Sequence, residues 1–186
     1  AIGRVAEPAP ERPELLPGRP DALAGSVQIR HVDAGSCNGC EIELAAAFGP
    51  VYDAERYGAR LVASPRHADA VLVTGVVTHN MLEPLRRTVD ATPKPRVVLA
   101  VGDCARNCGV LAGGIGVAGA VHDVQDVDLE VPGCPPEPDA IVEALFGGIG
   151  IDRASQNLNP PIMAKYTDVE AFAGYTLDLE KVDELM

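Results

Sequence analysis

The sequence is short of positive charge. Its 186 residues hold 15 Lys and Arg against 27 Asp and Glu, for a formal net charge of −12. A nucleic-acid surface needs clustered Lys and Arg to displace phosphate counterions, so that class is excluded. Long apolar runs are missing as well: none approaches the roughly 20 residues that a membrane-spanning helix requires. The N-terminus has no basic segment followed by an apolar one, so no signal peptide is expected. These absences predict a soluble, cytoplasmic chain that meets a membrane only through a partner. There is no internal repeat and no second Cys-x-x-Cys. Five cysteines in an acidic cytosolic chain point to metal or redox chemistry rather than to structural disulfides.

What is present suits one domain with tails. Hydrophobic residues make up 47% of the chain, enough for a packed core. Residues 1–25 carry Pro8, Pro10, Pro13, Pro17 and Pro20, a density that prevents regular structure and predicts an arm. Residues 26–147 read as the folded domain. Val27 to Val32 alternates as a strand does, and Glu41 to Phe48 reads as a short helix with Ile42, Ala45 and Ala46 on one face. Ala59 to Ala63 is a weak strand. Ala70 to Thr74 and Arg96 to Val101 are apolar, β-branched runs of the kind buried on both faces of a parallel sheet. Met81 to Asp90 reads as a helix striped by Met81, Leu82, Leu85 and Val89. Val127 to Val131 is a last short strand, and Pro136 to Phe146 a last helix with proline in its first turn. Alternating strands and helices predict an α/β fold with a parallel sheet. Residues 148–186 form a second tail, expected to dock on a partner.

All five cysteines follow predicted strands, where parallel sheets bind their ligands. Cys37-Asn38-Gly39-Cys40 alone suits a zinc ribbon, a thioredoxin-like redox pair or an iron–sulfur site. The remaining thiols come singly and from far away, unlike a zinc ribbon, and a redox pair would need only the first two. Four thiolates from three loops, with proline directly after Cys134, match a [4Fe–4S] cluster best; zinc stays open as the alternative. Of the pair Cys104 and Cys108, Cys104 is preferred as ligand because it sits in Gly102-Asp103-Cys104, directly off the strand. Cys108 reads as a small buried hydrophobe, with a substitute ligand or redox-sensitive thiol as the other reading.

At these residues the sequence resembles the small-subunit superfamily shared by nickel–iron hydrogenases and the cluster-bearing 20 kDa-type subunit of respiratory complex I. The resemblance spans Val27 to Phe146. It rests on Cys37-Asn38-Gly39-Cys40-Glu41-Ile42-Glu43, Tyr52-Asp53-Ala54-Glu55-Arg56-Tyr57-Gly58, Ser64-Pro65-Arg66-His67-Ala68-Asp69, Val101-Gly102-Asp103-Cys104 and Gly133-Cys134-Pro135-Pro136. The complex I branch carries adjacent cysteines where this chain has Cys-Asn-Gly-Cys. That form looks like the membrane-bound, energy-converting and formate hydrogenlyase-type hydrogenases. The resemblance implies a flavodoxin-like, doubly wound fold. It also implies one [4Fe–4S] cluster, held by Cys37, Cys40, Cys104 and Cys134, proximal to a large subunit's active site. One departure stands out: the family continues from Gly-Asp-Cys to a Gly-Gly pair, and here Asn107-Cys108-Gly109 replaces the first glycine.

By the same resemblance Asn38, Glu43 and Arg56 face the large subunit. Glu43 is a candidate proton relay or an interface carboxylate, and Arg56 a partner contact or an offset to cluster charge. His67 is a candidate for tuning the cluster or relaying protons, with a capping or interface hydrogen bond as the plainer reading. His31, His79 and His122 show no partner in the sequence. Gly113-Gly114-Ile115-Gly116 lacks the full nucleotide fingerprint and reads as a loop. The expected function is electron transfer in an oxidoreductase complex at the inner face of the cell membrane. The expected partners are a large subunit, a ferredoxin-like iron–sulfur subunit and, indirectly, membrane-arm subunits. A complex I-like quinone reductase and a zinc-stabilised interaction module are the alternatives.

Overall fold

The computed structural model describes residues 26–148. The expected N-terminal arm and C-terminal extension lie outside the described residues. Five strands form one parallel sheet: β1 (Val27–Asp33), β2 (Ala59–Leu61), β3 (Ala70–Thr74), β5 (Val97–Val101) and β7 (Leu129–Val131), in the order β2-β1-β3-β5-β7. Counting only these strands, the order is 2-1-3-4-5, the flavodoxin-like winding, with the chain reversing direction across the sheet at β1 and β3. The α/β fold expected from the sequence is therefore observed. Register is fixed across the sheet: Ile29 pairs with Ala70, Leu72 with Leu99, and Leu99 with Leu129.

Alternation along the strands feeds two cores, one on each face. Val27, Ile29, Leu72, Leu99 and Val101 pack against α1 (Gly39–Ala47) and α5 (Pro138–Glu143) through Leu44, Ala47 and Ile141. Val32, Val71, Val73, Val98 and Ala100 pack on the other face against Leu85 and Val89 of α2 (His79–Ala91). Both faces of β3 and β5 are covered, which is why those runs carry no polar alternation. Burying each of Leu72 and Leu99 contributes about 2 kcal/mol. Within the first core, Tyr57 meets Phe146 edge to face at 5.2 Å.

Helix bounds differ in detail from the pattern reading. α1 starts inside the Cys-x-x-Cys loop, and its buried face is Cys40, Leu44 and Ala47, while Ile42 is 60% exposed. After Glu143 the last helix widens to a π-turn over Ala144–Gly148. Two elements were not expected: β4 (Val77–Thr78) and β6 (Val117–Gly119) pair antiparallel as a small second ribbon. Two short helices, α3 (Asp103–Asn107) and α4 (Val121–Val124), separate β5 from β7.

Candidate metal centre

The carboxyl ends of β1, β5 and β7 meet at one end of the sheet, and each is followed by a thiol-bearing loop. Asp33 ends β1. Its Oδ1 accepts hydrogen bonds from the amides of Gly35 and Ser36, at 2.9 and 2.8 Å, folding the chain over before Cys37. The Ser36 hydroxyl then accepts from the Asn38 amide at 3.1 Å. Asn38 takes a left-handed conformation, φ 72°, and starts α1, whose first turn carries Cys40. Burial pushes the Asp33 carboxyl up, but the two amides, with the Ser36 hydroxyl and His31, outweigh it and hold it below its ordinary value.

β5 runs into Gly102, which opens α3 with Cys104 in its first turn. Gly102 sits at φ +89°, and a Cβ there would lie 2.5 Å from the Cys40 sulfur. No other residue type fits that combination of dihedral and contact. β7 runs into Gly133 and Cys134, and the Cys134–Pro135 peptide is cis.

The result is one cavity of about 90 Å³ lined by Cys37, Cys40, Cys104 and Cys134, with Gly39, Gly75, Gly133 and Pro135 filling its wall. Cys40 and Cys104 are buried, each 8% exposed, while Cys37 and Cys134 are exposed. Burial, then the negative charge of Glu41 and the other three thiols, pushes the Cys40 thiol up to about 12. Burial followed by the neighbouring thiols raises Cys104 as well. Four thiolates at such spacing repel one another unless a cationic, sulfur-seeking group sits among them, so the donor set fits a soft metal centre. Among the described residues, no three His, Cys, Asp or Glu side chains converge tightly enough for a single metal ion.

Cys108 does not line this cavity. It caps α3 at φ 65°, a left-handed position that glycine favours, and Gly109 follows at φ +47°. The loop thus keeps a left-handed turn with cysteine in it. Asn38, Glu43, Arg56 and His67 also stand outside the cavity lining; Arg56 and His67 are exposed and Glu43 is half-buried. Residues Gly113 to Gly116 form an exposed turn, with Ile115 fully exposed. Two acids that pattern reading left without a role prove to build the site: Asp33, and Asp103, which joins the Cys104 and Cys134 loops. The signal for both was position, an acid at a strand's end directly before a thiol loop.

Residues 37–147 match the family described as "NADH ubiquinone oxidoreductase, 20 Kd subunit". The "Probable membrane-bound hydrogenase subunit mbhJ" of Pyrococcus furiosus is 47% identical over 123 residues, 66% of this chain and 74% of that protein. Formate hydrogenlyase subunit 7 of Escherichia coli is 40% identical over 126 residues, 68% of this chain, which spans 49% of the E. coli protein. An NADH-quinone oxidoreductase subunit of Anaeromyxobacter sp. is 42% identical over 107 residues, 58% of this chain and 62% of that protein. Among solved structures, a chain of the membrane-bound sulfane sulfur reductase, an archaeal respiratory membrane complex, aligns with TM-score 0.58 and 25% identity over 87% of this chain and 92% of that one. A chain of an NAD+-reducing [NiFe]-hydrogenase shares the fold with TM-score 0.53 and 21% identity, over 73% of this chain and 99% of that one. These relatives are subunits of multisubunit oxidoreductase complexes, several of them membrane-bound. Among the described residues, no helix is long and apolar enough to cross a membrane. With the matched span covering more than half its length, the chain belongs to the 20 kDa subunit family of NADH ubiquinone oxidoreductase, which it shares with membrane-bound hydrogenase subunits.

Proposed function

We propose that the chain is the electron-transfer subunit of a membrane-associated oxidoreductase complex, holding one [4Fe–4S] cluster on Cys37, Cys40, Cys104 and Cys134 beside the active site of a nickel–iron-type large subunit. The observation that carries this reading is the meeting of four thiols from three strand ends around a cavity of about 90 Å³. A space of that size among four thiols favours a polynuclear group over a single ion, which would hold its thiolates at about 2.3 Å. When bound, such a cluster supplies one-electron storage at a potential tuned by burial and by hydrogen bonding near its sulfurs.

The chain's own residues supply the rest. Cys40 and Cys104 hold the inner side of the site away from water, and the exposed Cys37 and Cys134 mark the side open to a partner. Asp33 and Asp103 hold the thiol loops in place so that little rearrangement accompanies electron arrival. Segment 1–25 is a proline-rich arm and segment 148–186 a docking extension on either side of the 26–147 domain. A ferredoxin-like iron–sulfur subunit is the neighbouring carrier. Membrane-arm subunits keep the complex on the inner face of the cell membrane. In this reading the active site belongs to the large subunit.

The Asn38-Gly39 spacer between the first two cysteines favours the hydrogenase branch. The second reading, a quinone-reducing complex, draws on the NADH-quinone oxidoreductase relatives. Low-temperature EPR of the dithionite-reduced full chain, with iron, sulfide and zinc analysis, tests the cofactor. Stoichiometric zinc without a cluster signal overturns the proposal in favour of a zinc-stabilised interaction module. Nickel in the purified complex, with two Cys-x-x-Cys pairs in its large subunit, is the expected result for hydrogenase. Their absence leaves the quinone reading.

A further inference from the structure

A part-buried polar chain beside the cavity contributes none of the four thiols. It runs from His31 on β1 through Thr74 at the end of β3 to Glu41 in the first turn of α1, directly after Cys40. Thr74 is fully buried. His31 Nε2 lies 2.9 Å from the Thr74 hydroxyl, which in turn hydrogen-bonds Glu41 Oε1. The same Glu41 oxygen is 3.7 Å from His31 Nε2.

The direction of each bond follows from donor counting. A carboxylate only accepts, so the single Thr74 proton goes to Glu41. The Thr74 oxygen must then accept from His31, which places the imidazole proton on Nε2. Glu41 Oε2 is buried with no hydrogen-bond partner among the described residues. A buried carboxylate oxygen without a partner costs stability, so the Thr74 contact is what keeps the side chain in place. Both ends of the bond border the cavity: Cys40 precedes Glu41, and Gly75, part of the cavity wall, follows Thr74. Further along α1, Leu44 and Ala47 pack into the core on that face of the sheet.

We propose that Thr74 is a positioning residue for the metal centre, pinning the Glu41 carboxylate beside Cys40 so that its fixed negative charge and the seat of α1 together set the potential and retention of the bound group. The inference rests on the cluster reading above. A carboxylate held close in a low-dielectric wall disfavours an added electron and keeps the potential low. Released from Thr74, the side chain turns toward solvent, and the potential rises.

The test uses the full chain, reconstituted with iron and sulfide, as wild type, Thr74→Val, Thr74→Ser and Glu41→Gln. Valine keeps the shape without the hydroxyl, and serine keeps the hydroxyl. EPR-monitored redox titration and iron release to a chelator are the readouts. Expected for Thr74→Val are a raised midpoint potential, altered g-values and iron release about five- to ten-fold faster, the scale of one lost hydrogen bond; Thr74→Ser restores all three. Glu41→Gln, which keeps an acceptor for Thr74 but not the charge, raises the potential without speeding iron release, and it decides the matter if Thr74→Val does not fold. Wild-type potential and g-values in Thr74→Val or in Glu41→Gln, in a chain whose wild type carries the cluster, overturn this inference alone. A wild-type chain with no cluster signal overturns the functional reading and this inference together.

Discussion

Asp103 and Gly133 hold each other twice. The Asp103 amide donates to the Gly133 carbonyl at 2.8 Å, and the Gly133 amide donates to Asp103 Oδ1 at 3.1 Å. One residue precedes Cys104 and the other precedes Cys134, so the pair locks two thiol loops into one frame. Arg106 steadies the carboxylate from the far side: its Nη1 lies 3.3 Å from Asp103 Oδ1 and its Nε donates to Glu130 at 2.9 Å. A set of thiols assembled from distant stretches needs such ties, because each loop alone has little to define its position.

Asp103→Ala removes the side-chain half of this lock and leaves the backbone half. The expected cost is about 1–2 kcal/mol, one net hydrogen bond to a charged group, read as a shift in the urea midpoint of the cluster-free chain. Iron per chain after reconstitution falls in parallel. Asp103→Asn, which retains an acceptor oxygen, recovers most of the stability. Equal stability of alanine and wild type would show that the backbone pair alone joins the loops.

The convergence of thiols was legible because a parallel sheet sends all its strands' carboxyl ends to one side, and Cys37, Cys104 and Cys134 each follow such a strand. β3 and β5 were legible from unbroken apolar runs, and their bounds matched closely. The β4–β6 ribbon was not: Val77-Thr78 is too short to show a period, and Val117 to Gly119 lies in a run of small residues. The hydrogen-bonded supports were also hidden. Thr74 stands beside Asp33 and Val101 only because the register of β1, β3 and β5 brings them level. Asp69, the last residue of the Ser-Pro-Arg-His-Ala-Asp motif, is structural: its Oδ2 accepts from the Gln28 amide at 2.9 Å, tying the β3 entry to β1.

Shifted groups predict the shape of the cluster-free chain's pH–stability curve: His31 and Asp33 on the acid side, and Cys40, with Cys104 and Cys108 raised in the same direction, on the basic side. Burial, outweighing Glu41 and Asp33, lowers His31 from its ordinary 6.5. The unfolded chain therefore takes up that proton first, and stability is lost as pH falls below 6.5. Asp33, held below 3.8, adds a second loss at lower pH. Cys40, raised from 9.0 to about 12, works the other way: the unfolded chain ionises first, and stability is lost as pH rises past 9. Urea midpoints should hold level between pH 7 and 8.5 and decline on both sides. His31→Gln should flatten the fall between pH 6.5 and 5. An unchanged acid limb in that variant would assign it to other groups.

Gly102 predicts a steric failure. Alanine there meets both a positive φ of +89° and a Cβ contact of 2.5 Å with the Cys40 sulfur. Either the β5–α3 turn or the Cys40 side chain must shift. The expected loss is about 1–3 kcal/mol in the cluster-free chain, with reconstituted iron falling to a small fraction of wild type. Gly113→Ala is the control: it shares a positive φ, but its Cβ meets nothing within 4 Å. It should lose stability through backbone strain alone and keep its iron. Iron retention in Gly102→Ala equal to that in Gly113→Ala would show that the Cys40 contact is not what the glycine protects.

The fifth cysteine separates ligation from backbone fit. Cys134 lines the cavity and Cys108 does not. Cys134→Ala should therefore abolish the cluster signal, while Cys108→Ala should leave iron content and EPR line shape as in wild type. Cys108 also carries a cost of its own, because a side chain at φ 65° occupies backbone space that only glycine enters freely. Cys108→Gly restores the glycine pair that the family resemblance leads one to expect. It should stabilise the cluster-free chain by up to about 1 kcal/mol in a urea titration. Alanine keeps the strained conformation without the thiol and should show no such gain. A cluster lost in both Cys108 variants, with Cys134→Ala still loaded, would move the fourth ligand from the β7 loop to the end of α3.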